Sequence, residues 1–107
     1  MIELSQQEVE AQNDKNWEGW RQTSLSYFIL ALCGEVGELA NAYKKFERFL
    51  LGWEGNKLNI QEFTEVAKSE IADIQIYLDL VAGKLGFNIE ELVREKQKIN
   101  QERFGWK

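Results

Sequence analysis

The chain contains no histidine and no proline, and cysteine occurs once, at Cys33. Each absence excludes something. One thiol cannot close an internal disulfide, and without histidine or a second cysteine the usual zinc ligand sets cannot be assembled. With no proline, nothing breaks a long helical pattern. Long apolar runs are missing too: the longest, Tyr27 to Cys33, falls far short of the ~20 residues that a membrane-spanning helix needs. The opening stretch MIELSQQEVEAQNDKN has neither the basic start nor the apolar core of a secretory signal, so the expected compartment is the cytoplasm. Positive charge is in deficit, with 13 Lys and Arg against 18 Asp and Glu for a net charge of -5. No global field then draws the protein to a nucleic acid polymer or an anionic membrane. An anionic ligand must instead be met by a local basic patch or by metal ions.

The residues that are present describe one globular domain over 1–107, with 44% hydrophobic and 29% charged residues. Helix starts can be read from caps. Ser5 with Glu8, Asn59 with Glu62 and Asn88 with Glu91 each place a capping side chain three residues before a glutamate. Thr23 or Ser24 offers a fourth start, and Gly52 and Gly86 follow apolar-periodic stretches where a left-handed residue would end a helix. The pattern predicts helices near 5–16, 24–51, 60–85 and 89–104, with no convincing strand. Short connections between them imply an all-α fold, an antiparallel bundle of about four helices.

Helical spacing puts two carboxylate pairs on largely apolar stripes. Glu35 and Glu38 belong to GEVGE, and Glu35 shares a face with Phe28, Ala31, Leu32, Leu39 and Ala42. Glu70 and Asp73 in EIAD share a face with Phe63, Val66, Ala67, Ile74, Tyr77 and Val81. Either pair alone reads first as a solvated acidic face, since acids usually stay exposed. The two together point further. Carboxylates facing one another between helices either take up protons or recruit cations. With no histidine or cysteine nearby, such oxygen ligands suit Mg²⁺, or Mn²⁺, which keeps waters and accepts substrate phosphates. Gly34 and Gly37 admit two readings, close approach of a neighbouring helix or room for a bound phosphate beside the backbone. No phosphate-cradling glycine loop occurs anywhere in the chain. On the last helix Lys96, Asn100 and Arg103 share one face, either as part of a solvated mixed-charge surface or as donors to phosphate oxygens.

This constellation resembles the MazG-type, all-α nucleoside triphosphate pyrophosphohydrolases, whose motif is E-x-x-E on one helix and E-x-x-D on the next. Here the matching words are GEVGELANAYKK and SEIADIQIYL, followed by Lys96, Asn100 and Arg103, and the likeness covers residues 24 to 104. It implies cleavage of a (deoxy)nucleoside triphosphate to the monophosphate and pyrophosphate. Glu35, Glu38, Glu70 and Asp73 would hold Mg²⁺, Glu38 is the candidate to activate water, and Lys96, Asn100 and Arg103 would hold phosphates. The likeness also implies a homodimer or a dimer of dimers. Trp17, Trp20 and Tyr77 are the aromatics placed to meet a nucleobase, although core packing is the commoner fate of any one of them. Two departures stand out: Gly34 occupies the place where many members carry a further glutamate, and 31 residues separate Glu38 from Glu70. A related alternative is phosphoribosyl-ATP cleavage. From a different class comes a non-catalytic helical interaction module, while a di-iron bundle would need the histidines this chain lacks.

Overall fold

The computed structural model describes residues 2–107, with side chains from residue 6 onward. Four α-helices carry the chain: α1 (Ile2–Asn16), α2 (Leu25–Leu50), α3 (Ile60–Leu85) and α4 (Ile89–Phe104), with a 3-10 turn at Trp20–Gln22. The fold is all-α, and no strand occurs among the described residues. Among the described residues no helix is long and apolar enough to cross a membrane.

Local chemistry accounts for the boundaries. At the start of α3 the Glu62 amide donates to Asn59 Oδ1 at 2.9 Å while the Asn59 amide donates to Glu62 Oε1 at 3.0 Å, a complete reciprocal cap. Asn88 caps α4 through its side chain alone, accepting from the Glu91 amide at 3.0 Å. Helices α2 and α3 end alike. Gly52 and Gly86 turn left-handed, at φ 70° and 78°, and the next amide reaches back to the last turn, Trp53 to Arg48 O and Phe87 to Ala82 O. The expectation for α1 needs correction, because the helix begins at Ile2 and Ser5 lies inside it. The side chain of Ser5 falls outside the described residues.

Contacts divide the chain into two compact units. One is Ser26–Leu78, most of α2 and α3 with the loop between them. Its helices run antiparallel: as the chain rises along α2 from Phe28 to Phe46, the partners fall along α3 from Tyr77 to Phe63. Phe46 and Phe63 stack at 5.3 Å and 11°, with Tyr43 edge-on to Phe63 at 5.8 Å. Phe28 and Ala42 are the buried apolar residues of α2, seven residues to either side of Glu35. The loop folds back onto α2, where Arg48 Nη1 donates to Asn56 O and the Leu58 amide to Lys45 O.

The other unit joins the residues up to Leu25 with Asp79–Lys107. Its centre holds Trp20, Leu80 and Ala82. Gln6 on α1 is buried and bidentate to the connection between α3 and α4: Nε2 donates to Phe87 O at 2.9 Å and Oε1 accepts from the Ile89 amide at 2.7 Å. Asp14 accepts from Trp20 Nε1 and from the Arg21 guanidinium, which also lies 4.4 Å from the Trp20 ring centroid.

Candidate metal centre

Glu35 and Glu38 sit one turn apart in the middle of α2, and antiparallel pairing brings Glu70 of α3 between them. One carboxylate oxygen from each lies within 4.8 Å of the others. Glu35 and Glu70 are half-buried and Glu38 is exposed, so the cluster has a sealed side and an open one. Among the described residues no lysine or arginine forms an ion pair with any of the three. Oε2 of Glu35 and Oε2 of Glu70 are shut away from solvent with no hydrogen-bond partner. An ionised, unpaired buried carboxylate oxygen is costly, and either a proton or a cation relieves it. Glu70 is the carboxyl whose proton affinity rises. Its close contact with the Glu35 carboxylate, then burial, then the Glu38 carboxylate push the Glu70 carboxyl up to about 7.

These residues fit a hard divalent cation. Three anionic oxygens with no nitrogen or sulfur donor near them favour Mg²⁺ or Mn²⁺, and the open side at Glu38 leaves room for water and for further oxygen ligands.

Asp73, expected as a fourth ligand, is half-buried but does not join this set. The reason is axial register. Three residues on from Glu35 lies Glu38, ~4.5 Å along α2, whereas three residues on from Glu70 in the antiparallel helix runs ~4.5 Å the other way. Asp73 therefore moves away from Glu38, and its side chain is one methylene shorter. It stays within electrostatic reach of Tyr77, whose phenol is raised first by burial and then by Tyr27, Glu35 and Asp73. Tyr77 is half-buried, its ring 6.5 Å from that of Phe28.

Gly34 and Gly37 do not serve close helix packing. A Cβ built on either meets nothing within 4 Å, so of the two readings the one based on a neighbouring helix fails within this chain. Trp20 is also corrected as a base contact: the ring is 1% exposed and its N–H is committed to Asp14, which leaves no face for stacking. Trp17 is half-buried at a depression shared with Glu18 and Gln22. Lys96 and Arg103 are exposed and Asn100 half-buried on α4, in the other unit. The Arg103 guanidinium lies 5.2 Å from the Phe104 ring centroid. Nothing in the sequence marks Gln6 as buried, because a glutamine inside a polar helical stretch carries no such pattern.

Searches for similar proteins found no family model, no curated protein and no solved structure that matches this chain.

Proposed function

We propose that the protein is a divalent-metal-dependent hydrolase that cleaves a (deoxy)nucleoside triphosphate to the nucleoside monophosphate and pyrophosphate, in nucleotide pool sanitation or control. The observation that supports this best is the convergence of Glu35, Glu38 and Glu70 with two buried, unpartnered oxygens among them. Bound Mg²⁺ would neutralise the triphosphate and lower the pKa of water. Glu35 and Glu70 would hold the ion from the sealed side, with Asp73 as an outlying carboxylate. Glu38, at the solvent side, would orient water and accept its proton. Lys96, Asn100 and Arg103 would supply donors to phosphate oxygens. Tyr77 and Trp17 remain the candidates to face the base. The MazG-like motif order agrees with this set of roles.

A second copy of the chain belongs to the same proposal. In the unit 26–78, Ile29, Val36 and Tyr43 on α2 and Ile60, Ile71 and Leu78 on α3 stay exposed, Ile71 by 58%. Val36 lies nearly opposite Glu38 round α2, since two residues turn the helix by about 200°. An apolar flank on the side away from the acids is what an oligomer covers. It is also the observation that favours a non-catalytic interaction module.

Product chromatography separates the two. Purified protein with Mg²⁺ and a panel of canonical and modified nucleoside triphosphates is expected to release pyrophosphate, not orthophosphate, from at least one. No turnover across the panel, with light scattering showing an oligomer, would leave the interaction module as the better account.

A further inference from the structure

We propose that the pocket between the last turns of α2 and the loop after it is a second binding site, for a nucleoside monophosphate. Lys44, Glu47, Arg48, Leu51 and Trp53 line it. Lys44 and Arg48 stand one helical turn apart, and among the described residues neither forms an ion pair with a carboxylate. The Arg48 head is held in place by its single bond to Asn56 O, at 3.1 Å.

Beside these cations Trp53 is 57% exposed. The backbone that carries it is fixed, because Lys57 Nζ donates to Trp53 O at 3.1 Å and the glycines flanking this segment, Gly52 and Gly55, both adopt positive φ. An exposed indole next to two cations is the combination that stacks a planar base while binding its phosphate.

Charge and size select the ligand. Glu47 reduces the local balance of the pocket to one net positive charge: its two cationic heads can pair the oxygens of one phosphate, while the further charges of a triphosphate would stand unpaired beside Glu47 in a chain of net charge -5. The pocket measures about 200 Å³, below the roughly 300–1,000 Å³ of sites that enclose a whole ligand. It takes one ring and one anionic group. Lys44 is nine residues beyond Glu35, about half a turn round α2 from it, so this site faces away from the acid cluster and needs no metal.

The test is a titration of intrinsic tryptophan fluorescence in EDTA with AMP, GMP, CMP and UMP, beside adenosine alone, inorganic phosphate alone, ATP and a short single-stranded oligonucleotide. At least one monophosphate is expected to quench saturably and to bind tighter than the nucleoside, phosphate or ATP. Trp53→Phe is expected to remove the quench. Equilibrium dialysis should show Kd raised roughly threefold in that variant, because the smaller phenyl face stacks less well than indole. Lys44→Ala should weaken binding as well, and because Lys44 makes no bond in the loop this variant keeps the pocket's shape. Glu38→Gln should bind as the parent does. Four results would overturn the proposal: no saturable binding of any monophosphate, unchanged Kd in Trp53→Phe and Lys44→Ala, loss of binding in Glu38→Gln, or tighter binding of the oligonucleotide or of ATP.

Discussion

Replacing Glu70 by glutamine tests the acid cluster most directly. In the metal-free protein the Glu70 carboxyl titrates at about 7 instead of its ordinary 4.5, because Glu35 and Glu38 crowd it. Between those two pH values the folded chain keeps a proton that the unfolded chain has lost. Stability therefore declines as pH rises from about 4.5 to about 7, and above that window the full penalty remains. Glu70→Gln carries no titrating proton and can still donate to Glu35. Its melting temperature in EDTA should be flatter across the window and higher than the parent's at pH 7.5. Metal should act in the opposite sense. At a hundredfold excess of free Mg²⁺ over its dissociation constant, mass action gives about 2.7 kcal/mol of stabilisation. With ~2.1 cal/mol/K of unfolding entropy per residue, a chain of this length should gain roughly 12 °C in the parent. Glu70→Gln should lose most of that gain. Differential scanning fluorimetry from pH 4.5 to 8, with EDTA and with Mg²⁺, reads both effects. A parent whose melting temperature does not fall with pH, or a variant that gains as much from Mg²⁺ as the parent, would refute the cluster as a cation site.

Lys96→Ala and Arg103→Ala should raise KM for the triphosphate while leaving the Mg²⁺ thermal shift intact; abolition of that shift in a folded variant would remove them from the phosphate role. Asn59→Ala should cost about 1 kcal/mol by opening the reciprocal cap with Glu62, a fall of roughly 4 °C in melting temperature that chemical denaturation can check. Gly34→Ala adds a methyl group where nothing stands within 4 Å, so the metal-free chain should gain up to about 1 kcal/mol from helix propensity. If pyrophosphate release falls in the same variant, the open space at Gly34 serves substrate; if both stability and turnover are unchanged or better, it does not.

How much of this was legible beforehand depends on whether the signal is local. The limits expected for α3 and α4 agree with the structure, and those of α2 to within one residue, because Asn59, Asn88, Gly52 and Gly86 act on backbone groups one turn away. α1 was misjudged at its start, where Ser5 imitates a cap inside a continuing helix. Carboxylate faces on α2 and α3 could be assigned from helical spacing. Which acids meet could not, since the axial register between two helices is set by packing of Phe28, Phe46, Phe63 and Tyr77, and of the four acids it is Glu35, Glu38 and Glu70 that cluster. Trp20 looked like any other aromatic ahead of the motif helix. Its burial follows from the 3-10 turn after Gly19, whose left-handed conformation (φ 84°) directs the chain inward.

The clamp made by Gln6 imposes an order in time. Its partners, Phe87 O and the Ile89 amide, lie 81 and 83 residues further along the chain. At a synthesis rate of ~5–20 residues per second, α1 would wait roughly 4 to 16 seconds on the ribosome before either partner exists. The segment 26–78 closes over much shorter separations, through Phe46 with Phe63 and Lys45 with Leu58, so its closure costs less chain entropy and can precede the meeting of the two flanks. The acid-bearing hairpin can then form before the unit built from both flanks, so that Glu35, Glu38 and Glu70 meet without help from the Gln6 clamp.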